Sequence, residues 1–158
     1  MRKRAGMIPM VLVIGYGNPL RQDDSAAWHV AQRVEERASG SSDLHVVACH
    51  QLTPELAELL STAARAVFVD ASVDGSPGTV GQCVVTPSTG APEFGAHRFG
   101  PSELLATARA LFGASPESHL VTVTGQDFGY GVELSAPVRD ALDGAAALVA
   151  ELVYAAGA

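Results

Sequence analysis

Basic residues are scarce in this chain. Ten Lys and Arg stand against 17 Asp and Glu among 158 residues, a formal net charge of −7. A sequence-independent nucleic-acid binder needs a basic face. The basic cluster here is Arg2-Lys3-Arg4, in what we expect to be a flexible N-terminal tail over residues 1–9. Cysteine is scarce as well: Cys49 and Cys83 are the only two, and CxxC spacing is missing. That excludes the usual structural zinc site, and we expect two reduced thiols in a cytoplasmic protein. No apolar run approaches the roughly 20 residues that span a bilayer. Residues 7–14 follow the basic tail as the apolar core of a signal peptide would, but they end in Gly-Tyr-Gly-Asn-Pro with no small-residue cleavage site. Neither nucleic acid nor membrane is therefore expected as a partner. A G-x-S-x-G elbow is missing, and neither cysteine lies beside an activating element, which argues against a serine or cysteine nucleophile.

Apolar residues are plentiful. The chain is 47% hydrophobic and only 17% charged, with 16 Gly and nine Pro as punctuation, a composition that buries a core. The length fits one domain, residues 1–158. Strand and helix signals alternate. Strands are predicted at Met10–Ile14, Leu44–Cys49, Ala66–Val69 and Leu120–Val123, with an antiparallel or edge strand at Val80–Val85. A helix is predicted from Asp24 or Ser25 to about Ala38. Others follow Thr53-Pro54 to about Leu60, span Pro101–Phe112 and run from Pro137, capped by Ser135, to about Tyr154. The pattern predicts a three-layer α/β/α sandwich with a mostly parallel sheet of about five strands. Residues 86–100 and 125–134 are the long loops, and long loops are often functional.

The segment Val11-Leu12-Val13-Ile14-Gly15-Tyr16-Gly17-Asn18-Pro19-Leu20-Arg21-Gln22-Asp23-Asp24 carries the strongest chemical signal. A strand enters a glycine turn that delivers two adjacent carboxylates, at the strand end where open α/β sheets keep their ligands. It begins like a dinucleotide fingerprint, but Leu20 stands at the third glycine position and the acids would repel a pyrophosphate. Asp23 and Asp24 need not face the same way; one is expected to enter a site and the other to cap the helix or its loop. Asp70, after Val67-Phe68-Val69, and His97, in the 86–100 loop, are the residues that would join them. Two carboxylates and an imidazole suit a metal site or a hydrolytic centre, while Asp70 also suits a turn cap and His97 a solvated loop position. His29 and His45 are expected to be structural.

Several segments together resemble the hydrogenase maturation proteases. These endopeptidases trim the C-terminal tail of the large subunit of nickel–iron hydrogenases after nickel insertion. The matching segments are residues 15–24, His50-Gln51-Leu52-Thr53-Pro54-Glu55-Leu56, Val69-Asp70-Ala71, His97 and Gly131-Val132-Glu133-Leu134-Ser135-Ala136-Pro137-Val138. They extend, in order, over nearly the whole chain. The resemblance implies a twisted sheet flanked by helices, phosphorylase/hydrolase-like, and a monomer. It implies nickel, borne by the substrate, as the metal, with Asp24, Asp70 and His97 as its ligands and Asp24 and Asp70 as the catalytic acids. It further implies the large-subunit precursor as partner, contacted through Gly17, Asn18, Asp23, His50 and Gln51. The family continues its paired acids with Gly-x-Gly, whereas Asp24 here is followed by Ser25-Ala26-Ala27. That departure motivates a non-catalytic assembly factor as the alternative function, and the GxG turn alone motivates a nucleotide-binding domain.

Overall fold

The structure, a computed structural model, describes residues 10–38, 41–89 and 99–155. Its elements are β1 (Val11–Tyr16), α1 (Ala26–Arg37), β2 (Leu44–Cys49), α2 (Ala57–Thr62), β3 (Arg65–Ser72), β4 (Val80–Val85), α3 (Pro101–Phe112), β5 (Glu117–Thr124) and α4 (Ala136–Tyr154). Short 3-10 turns, Gln22–Ser25 and Pro54–Leu56, precede α1 and α2.

The strands form one five-stranded sheet in the order β2-β1-β3-β5-β4. Neighbours are parallel except β4, which runs antiparallel to β5 at the edge. The expected layered sandwich is therefore present. Helices α1 and α4 cover one face, packing on Val13, Val67, Val69, Val121 and Val123. Helices α2 and α3 cover the other, packing on Leu12, Ile14, Ala66 and Phe68. Buried on both faces, β1 and β3 have to be apolar at successive positions, which is why they read as unbroken runs.

Several details differ from the sequence expectations. Strand β3 extends through Ser72, so Asp70 lies within the strand. Asp24 belongs to the 3-10 turn, and the α-helix starts only at Ala26. Ser135 occupies the N-cap position of α4 but makes no side-chain cap bond; its hydroxyl turns to Asp23, 2.7 Å away. On α4 the buried stripe is completed by Ala146 and Val153, with Leu148 and Leu152 only half-buried.

The Ser25-Ala26-Ala27 departure is absorbed by packing. A Cβ on Gly15 would lie 2.6 Å from the carbonyl oxygen of Ala27, so α1 crosses β1 nearly in backbone contact. Ala26 and Ala27 are both completely buried there, and Ser25 donates to the Gln22 carbonyl at 2.7 Å. Small side chains satisfy this approach without glycine.

Arg65 ties the start of β3 to the end of α4. Its guanidinium donates to the carbonyls of Leu152 and Ala155, both at 2.8 Å, where the helix leaves carbonyls unpaired and its dipole favours a cation. Arg65→Met is expected to destabilise the fold by about 2–4 kcal/mol, from two charge-assisted bonds lost in a buried setting. Urea unfolding checks this, and a loss below about 1 kcal/mol would show that water replaces the guanidinium there.

Candidate functional site

The carboxyl ends of β1, β2 and β3 share one edge of the sheet, and the candidate residues collect along it. Gly17 turns the chain out of β1 with φ +150°, and a Cβ there would fall 2.1 Å from the Asp24 carbonyl oxygen. Glycine is thus required by both conformation and space. The Gly17 N–H donates to the Cys49 carbonyl, and its own carbonyl accepts the Trp28 indole N–H at 2.8 Å. Both backbone groups are taken up internally, so Gly17 shapes the turn and does not fit the substrate contact expected of it. The Asn18 N–H donates to Asp24 Oδ2 at 2.7 Å, and Asn18 Oδ1 accepts from the Leu20 N–H at 2.9 Å. A nucleotide-binding loop would leave such N–H groups open to phosphate. Here the chain's own carboxylate occupies one, which argues against the nucleotide reading.

Asp24 is half-buried, with its carboxylate oriented by that Asn18 N–H. Its neighbour Asp23 is completely buried. Its carboxylate accepts the N–H groups of Gln126, Asp127 and Ser135 at 2.8–2.9 Å and the Ser135 hydroxyl at 2.7 Å. Burial alone would raise its pKa, but these four hydrogen bonds outweigh it and hold the carboxyl below the ordinary value. The expectation that Asp23 meets substrate is therefore corrected: it is a clasp. Gln22 adds to it, accepting from the Gly129 N–H through Oε1 and donating its backbone N–H to the Gly131 carbonyl. The 125–134 loop is thereby fastened to the first loop along its length. Its outer rim carries exposed Tyr130 and Val132 beside exposed Leu20, with the Arg21 guanidinium 4.8 Å over the Tyr130 ring.

Asp70 is half-buried on the α2/α3 face of β3 and accepts the Ala71 N–H at 2.8 Å. On the same face of the neighbouring strand β1 stands Tyr16, half-buried. Burial first, and then the charge of Asp70, push the phenol far above its ordinary range. Beyond Tyr16 lies Cys49, its thiol raised by burial. His50 and Gln51, exposed just past β2, reach the same sheet edge and are accessible to a partner. His97 and most of the 86–100 loop lie outside the described residues. Among the described residues, no group of three His, Cys, Asp or Glu side chains gathers to hold a metal. Asp24 and Asp70 are two hard oxygen donors without a described third.

A groove of about 380 Å³ runs between α1 and β2, lined by Trp28, His29, Gln32, Val46 and Ala48 and closed at one end by Pro19 and Val132. It lies on the α1 face, opposite the face that Asp70 and Tyr16 occupy. Sequence reasoning missed Tyr16 and Trp28. The signal for both was a polar aromatic beside the glycine turn, since such side chains seek a hydrogen-bond partner when buried.

These observations define an α/β fold with an acidic site at the carboxyl edge of a parallel sheet. That fold is the one of the hydrogenase maturation endopeptidases. The hydrogenase maturating endopeptidase HybD from E. coli superposes with a TM-score of 0.74 at 20% identity, over 89% of each chain. The [NiFe] hydrogenase maturation protease HycI from Thermococcus kodakarensis KOD1 gives 0.72 at 21% identity, over 91% of this chain and 92% of the other. The [NiFe] hydrogenase maturation protease HybD from Thermococcus kodakarensis gives 0.70 at 22%, over 91% and 99%. No family model matches the sequence, and no curated protein does. No helix among the described residues is long and apolar enough to cross a membrane.

Proposed function

We propose that this protein is a processing endopeptidase of hydrogenase maturation, acting in the cytoplasm on the C-terminal tail of a nickel–iron hydrogenase large-subunit precursor. The observation that carries the reading is the pair Asp24 and Asp70. Each is half-buried at the carboxyl edge of a central strand and oriented by a backbone N–H, in the fold of hydrogenase maturation endopeptidases. Nickel enters as part of the substrate. Asp24, Asp70 and His97 complete the shell of the ion that the precursor already holds, and imidazole with carboxylates suits nickel without binding it tightly. The metal thus reports that the precursor is loaded. Asp24 or Asp70 takes the proton of the attacking water as the peptide bond is cleaved. His50 and Gln51 meet the precursor beside the site.

The test mixes this protein with nickel-loaded and nickel-free precursor and follows the tail by intact mass. Loss of a C-terminal peptide from the loaded form alone is expected. Co-elution with the precursor without cleavage would instead make the protein an assembly factor. The packing of Ala26 and Ala27 makes the departure compatible with the fold and leaves this assay to decide between the two.

A further inference from the structure

Four exposed side chains stand where the first loop and the 125–134 loop run side by side. Arg21 and Gly131 form a parallel bridge there. The Gly131 N–H donates to the Leu20 carbonyl and the Gln22 N–H to the Gly131 carbonyl, both at 2.9 Å. Leu20 and Arg21 come from one loop, Tyr130 and Val132 from the other. Leu20 is 62% exposed, Tyr130 83% and Val132 68%, and Arg21 is exposed beside them. Single exposed apolar residues are ordinary, but three gathered on one bridge with a cation mark an interaction surface. Tyrosine and arginine are also the residues on which binding energy concentrates.

The bridge is held in a strained conformation. Gln22, within it, has φ +47° and is the one non-glycine residue with positive φ among the described residues. A residue with a Cβ disfavours that region, and such strain collects at functional positions. It persists here because Gln22 Oε1 accepts the Gly129 N–H at 3.0 Å while the Gln22 N–H is taken up by Gly131. Leu20 and Arg21 are thereby fixed against the second loop.

Arg21 is preorganised but unpaired. Its guanidinium lies over the Tyr130 ring, and Nη2 donates to the phenol oxygen at 3.3 Å. Among the described residues it makes no ion pair, whereas Arg33 and Arg37 face Asp143 and Arg65 faces Glu117. A guanidinium has five N–H donors in a fork that matches a carboxylate, so most of its capacity is open to an acid from outside. Asp127 and Glu133 are exposed on the same loop. The surroundings are therefore not basic overall, which disfavours a polyanion such as nucleic acid and suits a single carboxylate. The patch adjoins the candidate site, since the Asp24 N–H donates to the Arg21 carbonyl at 3.0 Å.

We propose that this bridge is a docking surface for the precursor, taking a segment with an Asp or Glu side chain for Arg21 and an apolar side chain alongside it for Tyr130 and Val132. This rests on the processing reading above.

The test measures initial rates of cleavage of nickel-loaded precursor by wild type, Arg21→Gln, Arg21→Glu and Tyr130→Ala. These side chains are exposed, so melting temperatures are expected to stay within about 3 °C of wild type. KM is expected to rise about 5–10-fold in Arg21→Gln and Tyr130→Ala and further in Arg21→Glu, with kcat within about threefold. Added salt should raise the KM of wild type more steeply than that of Arg21→Gln, because the variant has no charge at that position to screen. Wild-type KM in Arg21→Glu overturns the docking surface. A salt response as steep in Arg21→Gln as in wild type overturns the acidic occupant. Self-association of the wild type that Arg21→Glu abolishes overturns the proposal in favour of a second copy. In each of these cases wild-type cleavage leaves the processing reading standing. Failure of the wild type to cleave loaded precursor overturns both.

Discussion

Asp23→Ala is expected to lower the melting temperature by roughly 10 °C. The substitution leaves the N–H groups of Gln126, Asp127 and Ser135 and the Ser135 hydroxyl without their acceptor. Each buried polar group left unpaired costs about 1–3 kcal/mol. Water entering the gap recovers part of this, so a total on the order of 4 kcal/mol is expected. At about 2–4 °C per kcal/mol for a chain of this size, that gives the stated shift. The 125–134 loop should also become susceptible to protease. A change of melting temperature below about 3 °C would show that the clasp is dispensable.

The same carboxylate predicts an acid response. Its folded-state pKa lies below the ordinary value, so folding favours its ionised form. The stabilisation is complete above the unfolded pKa of about 3.9 and is lost as pH falls through the folded value. Below pH of about 4 the wild type should therefore lose stability more steeply than Asp23→Asn, which has no charge to lose at that site. Parallel pH profiles for the two proteins would remove Asp23 from the acid response.

Much of this architecture was legible from periodicity. The apolar runs of β1 and β3, the alternation of β4 and the helical spacing of Val138, Leu142, Ala145 and Val149 each follow from burial on two faces, one edge or one stripe. The division of labour between Asp23 and Asp24 was not. Both follow the same turn, and which carboxylate is buried depends on where the 125–134 loop lands, more than a hundred residues away in sequence. Ser135 shows the same limit. Its position before a helical run reads as a cap, yet the carboxylate of Asp23 is a stronger partner for its hydroxyl than the local backbone. Tyr16 was hidden for a related reason. Its placement on the strand next to that of Asp70 comes from strand order, and nothing within β1 carries that information.

Asp24→Asn and Asp70→Asn are each expected to reduce cleavage of nickel-loaded precursor by about a hundredfold or more, because an amide neither takes a proton from water nor binds a cation as a carboxylate does. The expected effect on folding is small. In Asp24→Asn the new amide still accepts the Asn18 N–H through its carbonyl oxygen, and in Asp70→Asn it accepts the Ala71 N–H in the same way. Both positions are half-buried. Melting temperatures should stay within about 3 °C of wild type. His97→Ala is expected to behave alike if its imidazole joins the same metal. The contrast with Asp23 makes the set decisive. One carboxylate of the adjacent pair should cost stability when altered, while the other should cost activity in a protein that remains folded. Unfolding of Asp24→Asn and Asp70→Asn would reassign them as structural caps. Normal cleavage by both folded variants would move the chemistry elsewhere on the sheet edge, toward His50 and Gln51.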